Sequence, residues 1–130
     1  MSMNDPLANA LSSILNSERI ARNIVYVSPV SKMLKKILEI MNDEGYIGGF
    51  KEIDDGKGKL MEVNLLGKIN RCGVIKPRLA LKKDQFERYE KRYTPAKGFG
   101  ILIVSTVQGL LTHEQAKEKG LGGKLIAYCY

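Results

Sequence analysis

The sequence predicts an α+β fold made of two small lobes, residues 1–67 and residues 68–130. Apolar residues recur at helical spacing in two stretches before Gly45, which indicates amphipathic helices. Shorter, β-rich apolar runs bounded by glycine and polar residues dominate the rest of the chain and indicate strands. Because 44% of the 130 residues are hydrophobic, the chain can bury a core.

The first lobe is expected to have the order α-β-α-β-β. Asp5 and Pro6 are a favoured N-cap and N1 pair for the first helix. Ser31 is expected to cap the second helix and Gly45 to end it. Each helix has one apolar stripe, formed by Leu7, Ala10, Leu11, Ile14 and Leu15 in the first and by Leu34, Ile37, Leu38 and Met41 in the second.

Three short strands complete the first lobe. Residues 24–27 form the first, and a second begins at residues 46–50. The chain turns at residues 54–59 and returns along residues 60–66. The returning strand places three apolar residues on one face, namely Met61, Val63 and Leu65.

The second lobe is expected to be mostly β, with short helices. Residues 74–75 form a short strand, which Pro77 restricts to an edge. A helix is predicted over residues 84–93, and an apolar strand over residues 101–104.

The last third of the chain contains turns that carry hydroxyls, amides and glycines. The strand over residues 101–104 is predicted to stop at Ser105–Thr106, and Gln108–Gly109 then turns the chain. A capping box at residues 112–115 starts a short helix. Gly122–Gly123 is expected to be a tight bend before the last strand. Such a surface offers hydrogen bonds but no nucleophile–base pair, so it favours recognition of a polar polymer over catalysis.

The charge distribution points to a nucleic acid as that polymer. The net charge is +7, and residues 68–97 alone hold 10 basic and 3 acidic residues. Residues 1–67 have a net charge of −1. A basic block of this kind is typical of nucleic-acid-binding proteins. An ordinary solvated basic face explains the charge alone equally well.

Other classes of protein are less consistent with the sequence. No apolar run approaches the ~20 residues of a membrane span, and the amphipathic, acid-containing first thirty residues are not expected to be a signal peptide. Cys72 and Cys129 show no metal-type spacing and the chain has one histidine, so we expect reduced thiols, a cytoplasmic location and no metal or other cofactor.

Two motifs that resemble catalytic or phosphate-binding elements fail on inspection. His113 and Glu114 are adjacent on a predicted helix, where neighbouring side chains do not face each other. Gly122–Lys124 lacks the earlier glycine and the following Ser or Thr of a phosphate-binding loop. The two glycines are either turn residues or positions where the backbone approaches a polymer closely. We therefore expect no enzyme activity.

Several side chains are candidates for contact with an anionic polymer. Lys32 lies in the first turn of the second helix, where the helix dipole disfavours a cation, so it indicates either an external anion or an exposed lysine tolerated at little cost. Arg88, Lys91 and Arg92 project from the predicted helix over residues 84–93. The tyrosines of this lobe could stack on bases, but their spacing favours half-buried positions.

Short motifs, in order along the chain, resemble one ribosomal protein family. They are Asp5–Leu11, Ser31–Lys32, Gly45–Gly48, Gly67–Ile75, Pro77–Arg78, Gly100–Ile101, Ser105–Thr106 with Gly109, and Gly122–Lys124. Together they resemble the eighth small-subunit ribosomal protein, a family universal to ribosomes. Cys72–Gly73 is more similar to the archaeal and eukaryotic branch. Val107–Gln108 departs from the small-plus-basic pair of bacterial members, which leaves the role of Gln108 open.

The resemblance implies a structural constituent of the small ribosomal subunit that binds the central domain of its RNA early in assembly, next to other small-subunit proteins. It implies that the second lobe is the main RNA-binding lobe and grips an irregular helix through the minor groove. It implies no membrane and no small-molecule substrate. The RNA-binding residues expected from charge and resemblance together are Asn9, Ser31, Lys32, Arg88, Lys91, Arg92, Ser105, Thr106, Gln108, Gly109, Gly122, Gly123 and Lys124.

Two alternative functions stay open at this point. A free-standing RNA-binding regulator of translation would use the same surface, and bacterial relatives repress their own messenger RNA. An enzyme acting on nucleic acid would need paired carboxylates, but the adjacent pair Asp54–Asp55 lies in a glycine-rich turn.

Overall fold

The computed structural model describes residues 6–130 except residues 29, 55, 57, 77, 83 and 97. The described residues form four helices and eight strands in two sheets, and this mixed α+β arrangement confirms the predicted fold class. The chain divides into two compact units between Arg71 and Cys72, whereas the boundary expected from the sequence follows residue 67.

The first unit has the predicted order α-β-α-β-β. Its elements are α1 (Pro6–Arg19), β1 (Ile24–Val27), α2 (Lys32–Asp43), β2 (Ile47–Asp54) and β3 (Lys59–Leu65). The three strands form an antiparallel sheet in the order β1-β3-β2. The expected N-cap Asp5 and the turn residues Asp55 and Lys57 lie outside the described residues.

The core of the first unit lies between the two helices and one face of its sheet. The apolar stripes of α1 and α2 are buried as predicted, except that Leu15 is only half-buried. The Ser31 hydroxyl accepts the backbone N–H of Leu34 at 3.1 Å, so it caps α2 as predicted. The Glu18 carboxylate accepts the backbone N–H groups of Gly67 (3.2 Å) and Ile69 (2.9 Å), which fixes the segment after β3 to α1.

The second unit is mostly β, as predicted. Its elements are β4 (Cys72–Val74), β5 (Ala80–Leu81), α3 (Phe86–Tyr93), β6 (Ile101–Thr106), β7 (Gly109–Thr112), α4 (His113–Lys119) and β8 (Gly123–Cys129). The sheet has the order β4-β8-β6-β7, and β5 also pairs with β8. All these pairings are antiparallel. The expected edge residue Pro77 lies outside the described residues.

The structure corrects three local predictions in this unit. Strands β5 and β7 were not predicted. Strand β6 does not stop before Ser105–Thr106, because Ser105 pairs with Leu110 and Lys124, and Thr106 pairs with Gly109. The bend predicted at Gly122–Gly123 is wrong, since Gly123 already begins β8.

Helices α3 and α4 supply the core on one face of the second sheet. A cluster formed by Phe86 of α3, Ala116 of α4 and the strand residues Leu102, Val104 and Leu125 is fully buried. The capping box predicted at residues 112–115 is present, and Gly120 ends α4 in the left-handed conformation. The tyrosines of this unit are half-buried, as expected. Tyr128 stacks between Tyr93 and Tyr130, with ring centroids 5.7 and 6.3 Å apart.

Ala21, just after α1, has a left-handed backbone with φ 58°, which costs a residue with a Cβ about 1 kcal/mol. We therefore expect Ala21→Gly to raise the free energy of unfolding by about 0.5–1 kcal/mol, despite the added freedom of the unfolded chain. Urea denaturation followed by circular dichroism measures this change.

Gly45 is the matched control for Ala21. It has φ 82° and no neighbouring heavy atom within 4 Å of an added Cβ, so Gly45→Ala tests conformation without a steric clash. We expect Gly45→Ala to lower the free energy of unfolding by about 1 kcal/mol. A loss of stability in Ala21→Gly would contradict the assignment of strain to Ala21.

Candidate nucleic-acid interface

The second sheet brings most of the predicted binding residues of its unit to one end. Ser105 of β6 lies opposite Lys124 of β8, and Lys124 lies opposite Ala80 of β5. The strand ends enclose an open groove of about 640 Å³, which we call the strand-end groove. It is lined by residues 80–82, Gln85, residues 105–107 and residues 122–124.

Gly122 and Gly123 are required by close packing of backbone against backbone inside the sheet. A Cβ at Gly122 would overlap the Leu81 carbonyl oxygen, and a Cβ at Gly123 would overlap the Ser105 carbonyl oxygen. Neither glycine has a positive φ, so turn geometry does not explain them. This packing accounts for both glycines without an RNA, and their contact with a polymer stays a prediction.

The two adjacent hydroxyls differ in what they bind. Thr106 Oγ1 donates to the Gly109 carbonyl at 2.8 Å and accepts the Gln108 backbone N–H at 3.1 Å, so it holds the β6–β7 turn together. Among the described residues, none forms a hydrogen bond with the Ser105 hydroxyl. Ser105 is half-buried in the strand-end groove and therefore offers both a donor and an acceptor to a ligand.

Gln108 and Gly109 lie in the β6–β7 turn beside the groove and are exposed. Gly109 has φ 105°, which a residue with a side chain rarely adopts. Gln108 Oε1 accepts Lys119 Nζ at 3.3 Å, so its side chain bridges the turn to α4. The predicted contact of both residues with RNA is compatible with their exposure and stays a prediction.

The two lysines of the groove have no acidic partner among the described residues. Lys82 and Lys124 line the groove itself, and in the described part of the chain neither forms an ion pair. Arg88 and Lys91 line a second concavity of about 430 Å³ on α3, together with Gln85 and the acidic residues Asp84 and Glu87. Because Gln85 lines both concavities, the α3 cations adjoin the groove. Lys82 and Gln85 were not among the predicted residues.

Arg92 differs from the other two cations of α3. Its guanidinium carbon lies 6.0 Å from the centroid of the Tyr93 ring, at the outer limit of a cation–π contact. The side chain is exposed, and its predicted phosphate contact stays a prediction.

The predicted binding residues of the first unit occupy separate positions. Ser31 and Lys32 line a concavity of about 360 Å³ with Lys35, Lys59 and Glu52. Lys35 (2.9 Å) and Lys59 (3.5 Å) both pair with the Glu52 carboxylate. The hydrogen bond from Lys35, helped by the charge of Lys59, lowers the pKa of Glu52 despite some desolvation. Lys32 forms no ion pair with any described residue.

Asn9 is exposed on α1 and does not line that concavity. Its position on the polar face of the helix follows from the apolar stripe on the other face. Its predicted contact with RNA stays a prediction.

A buried carboxylate–imidazole pair, which was not predicted from the sequence, links α3 to α4. His113 Nε2 lies 3.0 Å from Glu90 Oε2, and the two side chains are 0% and 2% exposed. No described residue meets the angle criterion of a hydrogen bond with His113 Nε2. Its contact with Glu90 is therefore close but poorly aligned for a hydrogen bond. His113 Nδ1 accepts the Leu102 backbone N–H at 3.2 Å, so the proton of the neutral ring is assigned to Nε2.

The Glu90 carboxylate is held in its ionised form. Burial alone would raise its pKa, but the Gly98 N–H at 2.8 Å, the nearby His113 and Lys117 at 3.7 Å together lower it. Lys117 approaches Glu90 Oε1, which has no hydrogen-bond partner within the described structure. One feature of the sequence did indicate that Glu90 is buried. It lies four residues after Phe86 and therefore on the apolar face of α3.

No group of three or more potential ligands from His, Cys, Asp and Glu among the described residues could hold a metal ion. In the same part of the chain, every helix is too short or too polar to cross a membrane.

Gly123→Ala is expected to lower the free energy of unfolding by about 1–3 kcal/mol, because the new methyl group overlaps the Ser105 backbone and forces β6 and β8 apart. Lys124→Ala, at the next and exposed position, should change it by less than about 0.5 kcal/mol. Thermal denaturation of both variants measures the difference. Parent-like stability of Gly123→Ala would contradict the packing explanation.

Acid should remove the stabilising effect of Glu90. Its pKa in the folded protein is below the ordinary value, so the ionised Glu90 carboxylate stabilises the fold above the unfolded-state pKa. This stabilisation is lost as the pH falls through the lower, folded-state pKa. We expect Glu90→Gln to be less stable than the parent at pH 7, by about 2 kcal/mol, and to lose less stability between pH 6 and pH 3. Urea titrations across this pH range test it.

Glu118→Gln, at an exposed position on α4, is the control for Glu90. It should follow the parent's pH dependence. If Glu90→Gln and the parent lose the same stability on acidification, the pair does not contribute to acid sensitivity.

The chain matches a known family over nearly its whole length. The sequence profile of the family described as ribosomal protein S8 matches residues 5–130. The chain therefore belongs to the ribosomal protein S8 family, as the ordered motifs predicted. It is a ribosomal protein of the small subunit, from a structural family that binds ribosomal RNA and functions in translation.

Proposed function

We propose that this member of the ribosomal protein S8 family binds the central domain of small-subunit ribosomal RNA early in assembly, with the strand-end groove against the minor groove of an irregular helix. One observation carries the proposal. The Ser105 hydroxyl has no partner among the described residues, although it lies half-buried in a groove beside the uncompensated Lys124.

The hydrogen-bonding groups of the groove suit the minor groove of A-form RNA, which is wide and shallow and displays 2′-hydroxyls and base edges. Gly122 and Gly123 line the groove with backbone atoms alone. A ligand can therefore approach both the backbone of β8 and the Ser105 hydroxyl. Short groups that both donate and accept are well matched to 2′-hydroxyls, which also do both.

The cations and the hydroxyl have different roles in this proposal. Lys82, Lys124, Arg88 and Lys91 contact phosphates, which fixes the position of the RNA without selecting its sequence or shape. Ser105 selects the irregular helix, because its hydrogen bond forms only where the distorted RNA presents a partner. The second unit thus provides most of the affinity, and Thr106 acts mainly by shaping the turn.

The first unit contacts a separate part of the same RNA in this proposal. Lys32, which forms no ion pair with a described residue, lies with the backbone N–H groups at the start of α2, and such a site favours phosphate. Ser31 contributes by capping the helix. Asn9 adds an exposed amide on α1. We also propose that the chain belongs to the archaeal and eukaryotic branch and acts in cytoplasmic ribosomes.

Ser105→Ala should separate recognition from electrostatic attraction. We expect it to weaken binding to an irregular helix from the central domain by about 1–3 kcal/mol, because a polar group of the RNA loses its partner. Since no charge is removed, the slope of log K against log salt should not change. Lys91→Ala should instead reduce that slope by up to roughly one unit and weaken binding to a regular duplex as well.

The measurement is a salt series for each variant on the irregular helix and on a regular duplex of equal length. Ser13→Ala and Lys36→Ala, both at exposed positions in the first unit, are the matched controls for the two changes. Thermal denaturation of Ser105→Ala is the check that the variant keeps the parent's fold. If Ser105→Ala loses affinity equally on both RNAs, or binds the irregular helix like the parent, Ser105 is not the selecting residue.

A further inference from the structure

The two cysteines of the chain are distant in sequence but lie opposite each other in the second sheet. Cys72 of β4 pairs with Cys129 of β8 in the antiparallel register. Their residues are 4% and 0% exposed, and no disulfide joins them in the described structure. Directly opposite residues project from the same face of a sheet, so the two thiols share one face.

The hydrogen-bond pattern shows which type of pair the cysteines form. The Ile75 backbone N–H donates to the Ile126 carbonyl at 2.9 Å, which marks that pair as hydrogen-bonded. The two pair types alternate along an antiparallel ladder, so Cys72–Cys129, three positions further along, is a non-hydrogen-bonded pair. In such pairs the Cα atoms are about 4.5 Å apart, within the range of about 4.4–6.8 Å that a disulfide requires.

We propose that Cys72 and Cys129 are a site of oxidative modification, at which a cross-strand disulfide joins β4 to β8. The oxidant is a small-molecule disulfide such as oxidised glutathione. One cysteine thiolate attacks it, forming a mixed disulfide and releasing one glutathione thiolate. The second cysteine thiolate attacks the protein sulfur of the mixed disulfide and releases the second glutathione. Two protein thiols are oxidised, and one glutathione disulfide is reduced to two thiols that carry the two protons.

Burial of the thiols does not prevent this reaction. Strand β4 is three residues long and lies at one end of the strand order, so it is held by few backbone hydrogen bonds. Local separation of such a strand from its neighbour exposes its side chains without global unfolding. The disulfide then connects the first and the last strand of the second unit and closes a loop that contains nearly the whole unit.

The disulfide does not involve the strand-end groove. Cys129 ends β8, whereas Gly123, which lines the groove, begins it. This inference therefore does not depend on the proposed RNA contact, and the two can fail separately.

Equilibration of the full-length protein with mixtures of oxidised and reduced glutathione tests the proposal. Intact mass after alkylation gives the fractions of dithiol, mixed disulfide and protein disulfide. The equilibrium constant defines an effective thiol concentration, which we expect to be on the order of 100- to 1,000-fold higher in native buffer than in 6 M guanidinium. The oxidised protein should also unfold at a temperature roughly 5–15 °C above that of the reduced protein.

The double variant Cys129→Ala/Tyr130→Cys is the matched control. It retains two thiols but moves one by a single residue, to the opposite face of the strand. Its effective concentration in native buffer should be close to that in guanidinium. The proposal is overturned if the parent shows no higher effective concentration in native buffer, or if glutathione mixed disulfide accumulates in place of the protein disulfide. Because the parent itself gives the decisive value, the stability of the variant does not limit the test.

Discussion

The pairing of β8 with three other strands is the interaction on which the second unit depends. Strand β8 holds β4, β5 and β6 in one sheet, and at its start the Gly123 backbone lies against the Ser105 backbone. This close approach leaves no room for a side chain at Gly123. The same contact brings Ser105, Lys124 and Lys82 to one groove, so the constraint that forms the sheet also forms the candidate interface.

Most of the hydroxyls discussed above form hydrogen bonds that stabilise a helix cap or a turn. Ser31, Thr106 and Thr112 each use their hydroxyl for a cap or a turn. Glu90 and His113 form a buried pair that ties α3 to α4 and to the backbone of β6. The hydroxyl of Ser105 has no such structural partner among the described residues, and an unsatisfied group in a groove gains a hydrogen bond when a ligand binds.

Local sequence signals predicted α1 and α2 well, because each has an apolar stripe and a favourable N-cap residue before it, and Gly45 follows α2. They did not predict β5, whose two residues show no periodicity, or β7, which is too short after its turn to show alternation. The candidate binding residues of β6 and β8 were proposed individually from the sequence. Their gathering with Lys82 and Gln85 depends on the pairing of β5 with β8, which is not a local property. The Glu90–His113 pair and the opposed cysteines were not predicted for the same reason, because they too depend on contacts between distant parts of the sequence.

Strand β8 is also later in the chain than every strand it pairs with, and this order has a consequence for synthesis. A ribosome making this protein completes all three strands of the first sheet by residue 65, whereas β8 begins only at residue 123. Until then β4, β5 and β6 lack their common neighbour. The nascent second unit therefore exposes unpaired strand edges and apolar side chains for longer than the first, and its sheet closes in a single late step.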